Sequence, residues 1–439
     1  MKKRIIAILM VLAMVLSMVG CNSKDNTADS SANINTKVKT DEGANTLTVW
    51  CWNPAFNITA LEQAAEIYKQ DHPDFVLNVV ETPWPDIQTK LITAASSGNL
   101  NTLPDIFLMQ DNAFQKNVIS FPDLFTEITS SDIDFKQFSS AKVGYSVVDG
   151  KNYGVPFDNG AVIACYRTDI LEDAGYTAAD FNDITWSKYI EMGKIILEKT
   201  GKPLLSCTAG GSDLIMMMLQ SAGSSLFDAE GNPSIVDNAI LKQVMETYAA
   251  LVVSGILVEV DDWDEYVGSF TNSTVAGTIN GCWIMASIQT AVDQSGKWAI
   301  TNMPSLDGID GATNYSNNGG SSWAITSQNK TLAEDFMAST FAGSVEFYEK
   351  ILPSTGALAT YLPAADSDVY EAPQKFFGDA KVFSLITAFA GKVPSNNTGI
   401  YYYEACDAIA TAVTNIVAGA DVDTELKSAQ EAVKLSMSN

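Results

Sequence analysis

One histidine, His72, stands in a chain of 439 residues, and no Cys-x-x-Cys occurs. Structural zinc sites and zinc proteases draw on those ligands, so the sequence argues against both. A Ser-His-Asp hydrolase would have to use His72, which lies between Asp71 and Pro73 in a loop-like setting, and no Gly-x-Ser-x-Gly is present. Gly210-Gly211-Ser212 lacks the Gly-Lys-Ser/Thr ending of a phosphate-binding loop and the fingerprint of a dinucleotide fold. Positive charge is also scarce. Lys plus Arg number 26 against 52 Asp plus Glu, a formal charge of -26 that repels nucleic acid and anionic membrane surfaces. Long apolar runs are limited to Ile5 through Val19, too short to span a bilayer comfortably.

What is present is a globular composition, 46% hydrophobic and 18% charged. The N-terminus adds a targeting segment: Lys2, Lys3 and Arg4, the apolar run, and then Met18-Val19-Gly20-Cys21. That ending resembles the bacterial lipobox, which implies a signal peptide over residues 1–20 and acylation of Cys21. Residues 22–44 carry no aromatic residue and only Ile34 and Val38 as large aliphatics, so 21–44 reads as the lipidated cysteine with a flexible tether. Fully extended, that tether reaches about 75 to 80 Å. The remaining cysteines, Cys51, Cys165, Cys207, Cys282 and Cys406, are odd in number and widely spaced. They argue against a disulfide framework and read mostly as small buried hydrophobes.

From residue 46 strand-like and helix-like periods alternate. Leu47 to Trp52, Phe75 to Val80 and Asp105 to Gln110 read as strands. Between them, Thr59-Ala-Leu-Glu62 reads as a capping box opening a helix, and Pro85 opens a second helix that ends near Gly98. The β-α-β-α-β order implies a parallel sheet covered on both faces. After Gly154-Val155-Pro156-Phe157 a second α/β region begins, with strands at Ala161 to Tyr166, Val275 to Ile279 and Trp298 to Thr301. Helices are expected at Trp186 to Lys199 and around Asn238 to Val253. Phe227 to Ser234 reads as a polar turn, and the last hundred or so residues are mostly helical in pattern.

Several pieces carry a resemblance in order and spacing: Leu47-Thr-Val-Trp-Cys-Trp-Asn53, Pro104-Asp-Ile-Phe-Leu-Met-Gln-Asp111, Tyr153-Gly-Val-Pro-Phe-Asp158, Tyr166-Arg-Thr-Asp169, Thr185-Trp186, Ala276-Gly-Thr-Ile-Asn-Gly-Cys-Trp283 and Gly319-Gly-Ser-Ser-Trp-Ala-Ile325. Together the sequence resembles the extracellular sugar-binding proteins of ABC importers, the maltose-binding-like family. The resemblance implies an α/β fold of two lobes, the periplasmic-binding-protein fold of class II type, each lobe a mainly parallel sheet flanked by helices and joined by several hinge crossings. It places residues 45–157 plus about 322–363 in an N-terminal lobe and 158–321 plus about 364–439 in a C-terminal lobe. It further implies a monomer that binds an oligosaccharide in the interlobe cleft and closes on it. Its partners are then the transmembrane subunits of a permease, with an ATPase on the cytoplasmic side, at the outer face of the bacterial cytoplasmic membrane. No cofactor, metal, nucleic acid or catalysis is expected.

A sugar offers an apolar C–H face and a rim of hydroxyls, so its site needs flat aromatics and short polar side chains. Trp52, Asn53 and Phe56 follow the first strand, and Gln110, Asp111 and Asn112 follow the third, where ligands collect in open α/β sheets. Asp111 can accept a sugar hydroxyl or cap the next helix. Phe157, Asp158 and Asn159 lie at the first crossing and can serve ligand or hinge. Gly210, Gly211 and Asp213 precede an apolar helix, as cleft donors and acceptor or as an ordinary cap. The family pattern sets Trp283 against a sugar face, with core packing as its rival. Gly319 and Gly320 allow close backbone approach to a ligand or merely the turn of a crossing strand. Tyr402 is assigned to the ligand from an ambiguous run, Tyr401 to Tyr403.

Two other readings remain open on the sequence. Adjacent tyrosines with Glu404 and the strong negative charge suit a polyamine or ferric-ion binding protein of the same fold, and the many carboxylates leave room for a glycoside hydrolase. The lipobox makes its own prediction: Cys21→Ser should move the protein from the membrane fraction to the soluble fraction, read by fractionation and immunoblot, and continued retention would count against acylation.

Overall fold

In the computed structural model, which describes residues 45–438, the chain enters on β1 (Thr46–Cys51), whose Leu47, Val49 and Cys51 alternate into the core with no exposed surface. Parallel strands β2 (Val76–Glu81) and β3 (Ile106–Gln110) flank it. The crossovers are α1 (Thr59–Tyr68), which buries Ala60, Leu61, Ala64, Ala65 and Tyr68, and α2 (Trp84–Ser97), which ends at the left-handed Gly98 as expected. The capping box at Thr59 does not form. The chain already turns helically at Pro54–Ile58, because Pro54 is preset for a first turn and the Asn53 side chain accepts from the Ala55 N–H at 3.0 Å. The Thr59 hydroxyl instead donates to the Pro54 carbonyl at 2.7 Å.

The next long element differs from the sequence expectation. Gly154 to Arg167 is one strand of 14 residues, β4, rather than a crossing followed by a separate strand. Asp158, Asn159 and Gly160 interrupt the apolar pattern but not the strand, because β9 (Asn317–Ile325) pairs antiparallel with Asp158, Asn159 and Ala161, through register shifts between Asn317 and Gly320 and between Ser321 and Ser322. Between these strands lie α3 (Thr168–Ala174), α4 (Trp186–Thr200), β5 (Leu205–Thr208), α5 (Asp213–Ser221), α6 (Ala239–Val253), β6 (Leu257–Val260), α7 (Trp263–Thr271), β7 (Gly277–Gly281) and β8 (Trp298–Thr301). The segment Phe227 to Ser234 is the expected turn, held by the Asp228 carboxylate accepting from the Glu230 and Asn232 N–H groups at 3.0 and 2.8 Å.

The main sheet has the order β8-β4-β9-β3-β1-β2, with β7 also paired to β4. A mainly parallel arrangement holds for β1 to β3 and for the separate pair β5/β6. The expectation of mainly parallel sheets in both lobes needs correction around β4, whose partners β7, β8 and β9 are all antiparallel. The reason is topological: the chain leaves the first lobe along β4 and returns along β9, so the two must run in opposite directions. The C-terminal part is helical, with α8 (Val345–Thr355), α9 (Tyr402–Val417) and α10 (Val422–Ser438). Among the described residues no helix is long and apolar enough to cross a membrane. Cys21 and the tether lie outside the described residues, and the five later cysteines are free, all but Cys207 buried.

Where β4 passes through the first lobe, Phe157 is fully buried between Phe56 at 5.4 Å, Trp323 at 5.4 Å and Phe341 at 5.3 Å. That cluster pins both crossing strands to one core. Phe157→Ala should cost about 3 to 5 kcal/mol of stability, measured by urea unfolding, and an effect below about 1 kcal/mol would show that the ring is not a core anchor.

Candidate functional site

Gln110 ends β3, and a tight turn, Asp111–Ala113, follows before the helix Phe114–Ser120. The turn buries Asp111, whose carboxylate accepts from the Lys142 ammonium and, at 2.9 Å, from the Ser322 hydroxyl. Lys142 comes from the short helix Ser140–Gly144. It is 4% exposed and also donates to the Ser321 carbonyl at 2.8 Å. Asp158 is buried as well and accepts from the Ser321 hydroxyl and, at 2.9 Å, the Ser321 N–H. The β4/β9 register shifts between Ser321 and Ser322, which lets neighbouring serines serve different carboxylates. Gly320 has φ 104, and a Cβ there would lie 2.6 Å from the Asp111 carboxylate, so only glycine fits.

Two buried carboxylates thus share one buried cation. Burial pushes the Asp111 carboxyl above its ordinary range, with Lys142 and Ser322 pulling it back. Burial raises Asp158 to about 6, and Lys142 and Ser321 oppose the rise while Asp111 adds to it.

Against this network opens a cavity of about 690 Å³, within the usual size of small-molecule sites. Asp111, Asn112, Gln115 and Tyr145 line it from the first lobe, and Asn159, Gln220, Asn317, Gly319 and Gly320 from the crossings and the second lobe. The loop before α9 contributes Asn396 and Asn397. An amide side chain carries a donor and an acceptor together, which suits vicinal hydroxyls. With Asp111 held against Lys142, the wall presents little net charge.

On the second lobe, the Trp283 indole N–H donates to the Asn318 carbonyl at 2.9 Å, and its ring lies 5.8 Å from that of Trp263. Gly281 leaves room for this indole, since a Cβ there would stand 2.3 Å from Nε1. The Asn318 amide donates to Asn280 at 2.8 Å and to Asp213 at 3.3 Å. The start of α9 reaches the other lobe: the Tyr403 hydroxyl bonds Gln110, Glu404 pairs with Lys116, and Lys116 lies 5.0 Å from the Tyr401 ring centre.

The structure therefore brings Asp111, Asn112, Asn159, Gly319 and Gly320 together around one cavity, and puts Gly211 and Asp213 at a smaller pocket on the second lobe. Other expected site residues are placed differently. Phe56 and Phe157 are buried in the first-lobe core, and Asn53 has its side chain engaged as a helix cap. Trp52 is half-buried, 5.8 Å from Trp84. Asp158 lies beneath the site, bonded to Ser321, and Gln110 is held by Tyr403. Gly210 is an exposed turn glycine with φ 67, and the Gly211 N–H is taken by the Thr208 carbonyl at 3.0 Å. Tyr402 packs against the second-lobe core. Sequence reasoning missed Lys142, which sits in no motif. It also missed the amides of Asn317, Asn396 and Asn397, although the pairs Asn317-Asn318 and Asn396-Asn397 carry a visible signal.

Two long strands threading two α/β lobes, with a polar cavity between, define a binding-protein architecture. Residues 63–378 match the family model for bacterial extracellular solute-binding proteins, and the chain belongs to that family. It is similar to a lactose-binding protein of Rhizobium radiobacter, 38% identical over 390 residues, covering 88% of this chain and 92% of that protein. An arabinooligosaccharide-binding protein of Halalkalibacterium halodurans is 25% identical over 412 residues, 90% of each chain. Among solved structures, the GacH receptor of Streptomyces glaucescens, solved unliganded and with acarbose, superposes with a TM-score of 0.76 at 17% identity, covering 91% of this chain and 100% of that one. The binding protein of an ABC transporter from B. animalis subsp. lactis Bl-04, solved with beta-1,6-galactobiose, gives 0.76 at 19% identity, covering 88% and 96%. The likeness to both structures shows the two-lobe fold.

The raised Asp158 carboxyl sets a pH dependence. An aspartate in the unfolded chain titrates near about 3.9, so the folded state binds this proton more tightly. The group therefore adds stability as pH falls through about 6, and the gain levels off below about 4. Between about pH 7.5 and pH 5 its share is on the order of 1 kcal/mol. Urea unfolding of Asp158→Asn should lack that increment relative to the wild type, and an identical pH dependence in the two proteins would contradict the shift.

Proposed function

We propose that this chain is the carbohydrate-binding component of an ABC importer, holding an oligosaccharide between its lobes and delivering it to the transmembrane subunits of a permease. The carrying observation is the cavity of about 690 Å³, whose lining includes amide side chains from both lobes, Asn112 and Gln115 on one and Gln220, Asn396 and Asn397 on the other. Relatives named for lactose and arabinooligosaccharides point to the same ligand class. Acylation of Cys21 would hold the protein at the outer face of the cytoplasmic membrane, with residues 22–44 as its tether. The lobes are taken as 45–157 plus about 322–363 and 158–321 plus about 364–439. Hydrophobic clusters around Phe157 and Trp323 on one side and Trp186 and Tyr248 on the other support that division. α8 feeds two clusters, Phe347 and Ile351 joining the first-lobe core and Leu352 another.

A ligand that touches both lobes favours the closed arrangement by its differential affinity, so the permease can read occupancy from lobe placement without any chemistry on the sugar. The reading is of a monomeric, non-catalytic protein. Asp111 and Asp158 are bonded to Lys142, Ser321 and Ser322, which suits a scaffold rather than an acid and nucleophile pair. The ferric reading loses its support, since Tyr403 and Glu404 are engaged by Gln110 and Lys116.

Calorimetry with lactose, β-1,6-galactobiose and arabino-oligosaccharides tests the proposal. At about 100 times its dissociation constant the right sugar should stabilise the fold by about 2.7 kcal/mol, seen as a thermal shift. Trp283→Ala should weaken that binding by about 1 to 3 kcal/mol with the fold retained. No binding by any neutral oligosaccharide would sink the function, and an unchanged affinity in the variant would return Trp283 to a purely structural role.

A further inference from the structure

Away from the crossing strands, the first turn of α9 reaches the first lobe through two polar contacts. The Tyr403 hydroxyl donates to the side-chain carbonyl oxygen of Gln110, and the Glu404 carboxylate pairs with the Lys116 ammonium. We propose that Lys116 and Glu404 are positioning residues for ligand binding, an interlobe latch that sets how far the empty protein is already closed and hence how tightly it takes its sugar. The proposal rests on the two-lobe carbohydrate-binding reading and deepens it, since it assigns part of the affinity to a contact outside the cavity.

Consecutive tyrosines divide the contact. α9 buries Ala405, Cys406, Ile409 and Val413 in the second-lobe cluster, against which Tyr401 and Tyr402 also pack. Tyr403 turns the other way. It packs against the first-lobe cluster that contains Trp84 and Phe114, with its ring centre 6.3 Å from that of Trp84. Lys116, on the first-lobe helix Phe114–Ser120, stands 5.0 Å from the centre of the Tyr401 ring as it meets Glu404. One ammonium thus faces a carboxylate and an aromatic ring that both belong to the second lobe, and it gains from them only when the lobes approach.

The contact is built to open as well as to close. Lys116 and Glu404 keep 32% and 27% of their side-chain surface exposed, so water can replace either partner. The atoms Glu404 Oε2 and Trp84 Nε1 are buried and have no hydrogen bond among the described residues. Opening would hydrate them, which offsets part of what the ion pair and the Tyr403 bond contribute. A latch that outweighed everything else would leave the ligand nothing to shift, because a sugar moves the balance only as far as its affinity differs between the two states. A weak one leaves the empty protein mixed, and the measured dissociation constant then scales inversely with the closed fraction.

Neither residue lines the cavity of about 690 Å³, although Gln115, next to Lys116, does. Their effect on sugar affinity therefore passes through lobe placement. Salt separates this effect from the general acidity. With a formal charge of -26, repulsion between lobes opposes closure and salt relieves it, whereas salt weakens the latch. The ratio of affinities between the wild type and a variant cancels most of the shared repulsion.

The test measures the sugar-free protein by small-angle X-ray scattering and titrates lactose by calorimetry, or, where lactose does not bind, whichever of β-1,6-galactobiose and arabino-oligosaccharides binds most tightly. Without sugar, Lys116→Glu should have a larger radius of gyration than the wild type, and the double variant Lys116→Glu/Glu404→Lys should return toward it. Lys116→Glu should weaken sugar binding about fivefold or more, and the double variant should recover to within about twofold of the wild type. Glu404→Gln should weaken binding about threefold in about 0.01 M salt and by less than about 1.5-fold in about 1 M, as the Debye length falls from about 30 to about 3 Å. Thermal midpoints confirm that each variant folds. Equal sugar-free radii and equal affinities in the wild type and Lys116→Glu would overturn the latch while leaving the function standing. A double variant no better than Lys116→Glu would show that the two residues do not act as a pair, and would overturn it as well. A more compact sugar-free Lys116→Glu would overturn it in favour of a contact that holds the lobes apart. If none of the three sugars binds the wild type, the function falls, and the sugar-free scattering alone decides whether this contact closes the lobes.

Discussion

The arrangement rests on Lys142, a buried ammonium placed where the two crossing strands meet the end of β3. It holds Asp111 and a carbonyl of β9, while Asp158 approaches from β4 through Ser321. Removing this cation from beside two buried carboxylates would leave uncompensated charge, at a cost of about 3 to 5 kcal/mol. The pair is not there as a cheap source of stability, since an apolar replacement of similar volume would hold the strands at least as well. It ties the strands together at their observed register, in which Ser321 and Ser322 of β9 each bond a different carboxylate, Asp158 and Asp111.

From that register the cavity follows. The bulged segment Asn317 to Ser322 passes glycines where backbone must approach Asp111 and Trp283, and amides where a ligand can be met. Pairing Asp111 with Lys142 offsets one carboxylate of a strongly acidic protein at the wall of the cavity. The protein's overall charge therefore says little about its ligand.

The same strands make a mechanical link. β4 and β9 run through both lobes, and the aromatic cluster at Phe157, Trp323 and Phe341 clamps them to the first. α9, packed in the second-lobe core, sends Tyr403 and Glu404 across to Gln110 and Lys116. At this polar contact between the start of α9 and the end of β3 with the helix after it, charged and hydroxyl groups can exchange protein partners for water at modest cost.

Much of this was legible in sequence because it depends on local order. The alternation of Leu47, Val49 and Cys51, the left-handed Gly98 and the helix periods of α4 and α6 each act within a few residues, and the spaced motifs around them marked the family. Asp111, Asn112, Asn159, Gly319 and Gly320 were reachable for the same reason, since they follow strand ends or crossings. Long-range pairing decided the rest. The continuity of β4 through Asp158-Asn159-Gly160 exists only because β9 supplies partners more than 150 residues away in sequence. Phe56 and Phe157 look like ligand aromatics in one dimension and become core because the helical turn after β1 and strand β4 bring their rings within 5.4 Å, tilted against each other. Lys142, with no motif around it, acquires its role only when three distant segments enclose it, because the free energy of a buried charge is set by neighbours that sequence spacing does not encode.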